Sequence, residues 1–125
     1  GDQFFLVSPA GEAVTEEPTV EVATLPEEEM AAVMEAGRLV FTSNCAVCHG
    51  AEGQGGIGPR FAGNGAIADQ SYVVNMVLNG FIEHGMPGWR NVLDDQQVSA
   101  VITYVRNSWG NEFGVVLPED VAEQR

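Results

Sequence analysis

The chain has no lysine. Its basic side chains are five arginines, set against 18 Asp and Glu, for a formal net charge of −13 over 125 residues. That balance excludes a nucleic-acid partner, because holding a phosphate backbone takes a basic patch. It also removes the usual reading of the glycine-crowded stretch from Gly50 to Gly65. A phosphate-cradling loop needs a Gly-Lys-Ser/Thr ending and a preceding strand, and neither is present. Cysteine is as scarce: Cys45 and Cys48 stand alone, and His49 and His84 are the only histidines. Zinc is disfavoured, since a structural site usually takes a second Cys or His pair. A redox-active dithiol belongs to a βαβ pattern that does not appear here. No apolar run approaches the ~20 residues that span a bilayer. Phe4-Phe5-Leu6-Val7 is the nearest to a hydrophobic cluster upstream of the first helix. There is no initiator Met and no basic region followed by an apolar one, so the chain reads as processed or as a trimmed soluble part of something longer.

What remains is organised around Cys45-Ala46-Val47-Cys48-His49. This C-x-x-C-H pattern is the attachment signature of c-type haem. Two thiols three residues apart lie one helical turn apart and reach two vinyl groups on one porphyrin edge. The next residue, His49, can place an imidazole nitrogen under the iron. One covalently bound haem c is therefore expected. Six Phe, two Trp and two Tyr suit a chain that packs against a large flat cofactor.

The rest of the chain predicts an all-α domain. Residues 1–25, with prolines at 9 and 18 and scattered acids, predict an extended arm or linker. It is either a disordered tail or an arm laid on a partner subunit or leading to a membrane anchor or second domain. A helix is expected over about 26–43, capped by Thr24 with Glu27 and opened by Pro26. Met30, Val33, Met34, Gly37, Val40 and Phe41 give it helical spacing. Gly37 in its interior costs roughly 1 kcal/mol against Ala, which points to close contact with another helix. A second helix is expected after Asp69, with Tyr72, Val73, Met76 and Val77 facing inward and Gly80 as its stop. A third is capped by Asp94 with Gln97, carries the stripe Val98, Val101, Ile102, Val105 and Trp109, and ends near 107–110. The domain is placed at 26–110, and residues 111–125 are expected to form an acidic C-terminal tail.

Met86 is the favoured sixth ligand. Met30, Met34 and Met76 fall on helical apolar stripes, where packing is the usual role. Met86 sits in a loop between Gly85, which permits close approach, and Pro87, which stiffens the turn. His84 is the rival. Methionine favours ferrous iron and raises the potential relative to a second histidine. Arg60 and Arg90 are candidates for contact with haem propionates, which need donors when buried.

The C-x-x-C-H motif, Gly58-Pro59, the Met86-Pro87 loop and the helix carrying Tyr104 together resemble a small class I c-type cytochrome. The resemblance covers residues 26–110. It implies a small cytochrome c fold whose N- and C-terminal helices cross at Gly37, packed by Phe41 and Tyr104. It implies that the Pro59 carbonyl accepts the His49 Nδ1–H, and that Trp89 lies against the haem near a propionate, a plain core Trp being the alternative. Met86-Pro87-Gly88-Trp89 and Val105 to Gly110 are also similar to cytochrome subunits or domains of periplasmic dehydrogenases, nitrite reductases and oxidases. The implied function is one-electron transfer between periplasmic redox partners, with the iron cycling between ferric and ferrous. Service as a subunit or domain of a larger complex is the alternative. A haem sensor or enzyme with an open distal site is a further, weaker one. The acidity reads either as solubility or as a docking face for a basic or pre-assembled partner.

Overall fold

The computed structural model describes residues 24–125. The expected arm over 1–25 lies almost wholly outside the described residues. Helix α1 spans Glu27–Asn44, α2 Ala46–His49, α3 Gln70–Asn79, α4 Asp95–Arg106 and α5 Pro118–Gln124. Two short 3-10 turns, Gly65–Ala68 and Ile82–His84, precede α3 and the Met86 loop. Among the described residues there is no strand, and a single antiparallel bridge joins Phe81 to Met86.

Helix α1 begins with three glutamates at its positive end. Its N-cap is Pro26, with no side-chain cap, and the Pro26 carbonyl accepts from Met30 N–H at 2.8 Å. The expected Thr24 cap does not form. Pro26 is extended (φ −54°, ψ 152°), so the helix starts at Glu27 and Thr24 lies two residues too far upstream to reach its free N–H groups. The other two caps do form. The Asp69 side chain accepts from Tyr72 N–H at the start of α3, and Asp94 with Gln97 closes a reciprocal capping box on α4.

Helices α1 and α4 cross at Gly37. A Cβ built on Gly37 would collide with the Ala100 carbonyl oxygen and lie 2.6 Å from Tyr104 Cβ. The missing side chain lets the two backbones touch. One turn on, Phe41 is fully buried, its ring 5.5 Å from that of Tyr104 and 5.3 Å from that of Trp109. Helix α4 is the central element, burying every residue from Val98 to Thr103 and Val105 and Arg106 besides. On α3 the buried face is Val73, Val74 and Leu78. The expected inward Tyr72 is 48% exposed, because the stripe that meets α4 is set one residue further along.

Residues 111–125 are not a tail. After α4 the chain turns through Trp109 and Gly110, both at positive φ, and runs back along α4. The Thr103 hydroxyl accepts from Val116 N–H (3.1 Å) and donates to Val116 C=O (3.3 Å). The Asn107 side chain pairs with both backbone groups of Gly114. Arg106 donates to the Phe113 carbonyl and Phe113 N–H returns to Arg106 C=O. Val115, Val116 and Val121 are buried, and α5 packs on α4 and α3. Burying one such side chain is worth about 1.5–3 kcal/mol. The acidic residues that give the segment the composition of a tail occupy its outer face, where Glu119 and Glu123 are exposed.

Candidate haem c site

The motif sits at the junction of α1 and α2. Cys45 ends α1, its N–H bonded to Phe41 C=O, and its own carbonyl accepts from Cys48 N–H (3.2 Å) and His49 N–H (3.0 Å). One turn of helix thus carries both thiols and the imidazole. Gly50, at φ 87°, then reverses the chain. The glycine-rich loop folds back over α2: Gly55 N–H bonds His49 C=O (2.8 Å) and Gly58 N–H bonds Cys48 C=O (2.7 Å). Gly58 lies against the imidazole, where a Cβ would be 2.6 Å from His49 Cε1.

His49 is buried and held on two sides. Its Nδ1 lies 2.8 Å from the Pro59 carbonyl oxygen. A carbonyl only accepts, so Nδ1 carries the proton and the lone pair is on Nε2, the nitrogen suited to a metal. The Phe61 ring stacks on the imidazole at 4.2 Å between centroids and 19° between planes. The thiol of Cys45 is pushed up to about 11, first by burial and then by the neighbouring Cys48. A redox-active dithiol needs a stabilised thiolate, which is the opposite arrangement.

Met86 lies on a second loop that is braced against the end of α3. Phe81 and Met86 exchange both backbone bonds (2.9 and 3.1 Å), Trp89 N–H reaches Val77 C=O, and Arg90 N–H reaches Leu78 C=O. Gly80 and Gly88 make the close approach possible: a Cβ on Gly80 would be 2.5 Å from Met86 O, and one on Gly88 2.8 Å from Leu78 O. Met86 is partly buried and Trp89 packs against the core cluster. His84 is exposed and its imidazole leans on Phe81 at 4.2 Å.

The structure brings Pro59 to His49 and gives the two arginines other partners. Arg60 is exposed, with Nε donating to Ala62 C=O (2.9 Å). Arg90 donates through Nε and Nη2 to Asn79 Oδ1 and through Nη1 to the Arg125 carbonyl (2.6 Å). These bonds tie the end of α3 to the C-terminal segment and engage all three guanidinium nitrogens.

Phe61 and Asn111 are residues that sequence reasoning passed over. An aromatic two positions after Pro59 and the Asn-Ser-Trp-Gly-Asn run from 107 to 111 were the visible signals.

Residues 23–105 match the family described as cytochrome c oxidase, cbb3-type, subunit III. The chain belongs to this family of class I c-type cytochromes. The cytochrome is 34% identical over 104 residues to the alcohol dehydrogenase (quinone) cytochrome c subunit of Gluconobacter oxydans, a match covering 72% of this chain and 22% of that protein. It is 34% identical over 91 residues to the cbb3-type cytochrome c oxidase subunit CcoP of Azospirillum brasilense, covering 66% and 30%. With cytochrome c6 of Bryopsis maxima it shares 33% over 81 residues, covering 58% and 88%. The cytochrome thus spans well under a third of the length of the dehydrogenase subunit. The family implies haem c, and Cys45, Cys48 and His49 have the spacing that haem c takes. The cytochrome is of the electron-carrier family. Among the described residues no helix is long and apolar enough to cross a membrane.

Proposed function

We propose that the chain carries one haem c, bonded through thioethers to Cys45 and Cys48, with His49 Nε2 and the Met86 sulfur as axial ligands. The observation that carries this reading is His49 itself: one turn from Cys45, buried, and fixed by Pro59 as the tautomer whose free lone pair is on Nε2. When bound, the haem supplies a one-electron ferric/ferrous couple. The protein's part is to anchor, orient and bury. Pro59 holds the ring and fixes which nitrogen is free. Met86 provides a soft neutral donor from a loop that α3 keeps rigid. Trp89, three residues further along the same loop, packs against the core cluster and anchors that loop.

Val47, Ile57 and Ile82 stand 73–85% exposed on α2, the glycine loop and the Met86 loop. Apolar side chains on the segments that carry the ligands fit a contact surface for a redox partner, through which the electron passes. With no lysine and a charge of −13, that partner carries a basic face or is assembled with this chain beforehand. The relatives named as dehydrogenase and oxidase subunits support work as the electron-transfer part of a larger oxidoreductase, in the periplasm. A free periplasmic shuttle is the second reading, favoured by the cytochrome c6 match that spans most of that protein.

The test is the visible spectrum of the holoprotein. A covalently retained haem, a methionine-to-ferric-iron charge-transfer band and no carbon monoxide binding to the native ferrous form are expected. Carbon monoxide binding without denaturation would overturn the methionine ligation and with it the closed-site electron carrier.

A further inference from the structure

The C-terminal return after α4 reaches across to the segment that holds His49. Asn111 is only 4% exposed, and both its amide nitrogen and its oxygen are engaged. Nδ2 donates to the carbonyls of Phe61 (3.0 Å) and Val105 (3.0 Å), and Oδ1 accepts from Gly63 N–H (2.9 Å). One side chain therefore staples the loop on either side of Ala62 to the end of α4. Immediately upstream on that loop are Pro59, which takes the His49 Nδ1–H, and Phe61, whose ring lies flat on the imidazole. Trp109 pins the same loop from the other end. Its ring fills the space a Gly53 Cβ would need, 2.5 Å away, and Gly53 C=O accepts from Phe61 N–H (2.8 Å). Trp109 does so from a left-handed backbone (φ 57°), a conformation a bulky residue holds only when its surroundings demand it.

We propose that Asn111 is a positioning residue for the proximal histidine: by anchoring Phe61 and Gly63 it sets the plane of the His49 imidazole and keeps its Nδ1–H on Pro59. This rests on the reading of His49 as the axial ligand. Loss of Asn111 leaves Gly63 N–H without a protein partner and Phe61 C=O with only the Asn64 N–H (3.1 Å), so the loop relaxes toward water and both restraints on the ring loosen together.

The experiment uses ferric and ferrous holoprotein and reads two signals: the paramagnetic shift pattern of the haem methyls, which follows the imidazole plane, and the exchange rate of the His49 Nδ1–H. Asn111→Ala is expected to redistribute the methyl shifts and to speed ring N–H exchange about tenfold, the scale of a lost buried bond. Val116→Ala, which loosens the same C-terminal segment without touching Phe61 or Gly63, is expected to leave both signals as in the parent. Phe61→Leu removes the stacking ring directly and is expected to move the methyl shifts in the same sense. It decides the matter if Asn111→Ala yields no folded holoprotein. Unchanged signals in Asn111→Ala, equal changes in Val116→Ala, or an unaltered pattern in Phe61→Leu would each overturn the proposal. A parent holoprotein lacking low-spin, histidine-ligated iron would instead overturn the reading of His49, and that shows before any substitution is made.

Discussion

Gly37 of α1 rests on Ala100 of α4 with no space for a methyl group between them. The Ala100 carbonyl oxygen fills that space, and Tyr104 Cβ lies 2.6 Å from the point where a Gly37 side chain would begin. Glycine is poor in a helix interior, so the sequence pays for this contact locally and recovers more from the packing of Phe41 and Tyr104 beside it.

Gly37→Ala should therefore destabilise the protein by about 1–3 kcal/mol, the usual cost of overpacking, although it improves helix propensity. Thermal or urea unfolding of the holoprotein measures this. A gain in stability would mean that the crossing is looser than the contact implies.

Met86→Ala should abolish the methionine-to-iron charge-transfer band and lower the midpoint potential. The shift should be on the order of tenths of a volt within the roughly 0.8 V that axial ligation spans. Spectroelectrochemistry reads both. His84→Ala, which removes an exposed ring leaning on Phe81, should leave band and potential in place.

Asp94→Ala removes the carboxylate that accepts from Gln97 N–H (2.8 Å) and ends the capping box. A loss of about 1 kcal/mol is expected in urea unfolding. The visible spectrum should be unchanged, because the bonds of that carboxylate stay within the first turn of α4.

Thr103→Val leaves the N–H and C=O of Val116 without their side-chain partner in a buried position. A cost of about 1–3 kcal/mol follows. Deletion of residues 111–125 should cost more, since it also takes Val116 and Val121 out of the core. A truncated holoprotein with parental unfolding temperature would show that the segment is a tail after all.

Partner choice is testable through salt. If an acidic face meets a basic partner, second-order reduction rates should fall as ionic strength rises across the range where the Debye length shrinks from about 30 to about 8 Å. Stopped-flow mixing with the purified partner checks this, and flat kinetics would favour a pre-assembled complex.

The chemistry and most of the helices are written locally in the chain. Cys45, Cys48 and His49 act through spacing along one helical turn, and such a spacing needs no distant residue. The Asp69 and Asp94 caps bond within three residues, and the helical cost of Gly37 is visible without its neighbour on α4. Other features depend on partners far away in the chain, and only folding brings those partners in. The last 15 residues read as an acidic tail, because Val115-Val116-Leu117 is only a three-residue run between acids and Val121 stands apart from it. Their burial is set by Thr103 on α4 and Asn107 just past its end, and these contacts, not the Trp109-Gly110 turn alone, decide that the chain runs back along α4. Arg90 reads in the sequence as a candidate propionate contact, and in the fold it finds acceptors on Asn79 and Arg125. Asn111 meets Phe61 and Gly63 across about 50 residues, a separation over which no sequence period operates and only the folded chain brings donor to acceptor.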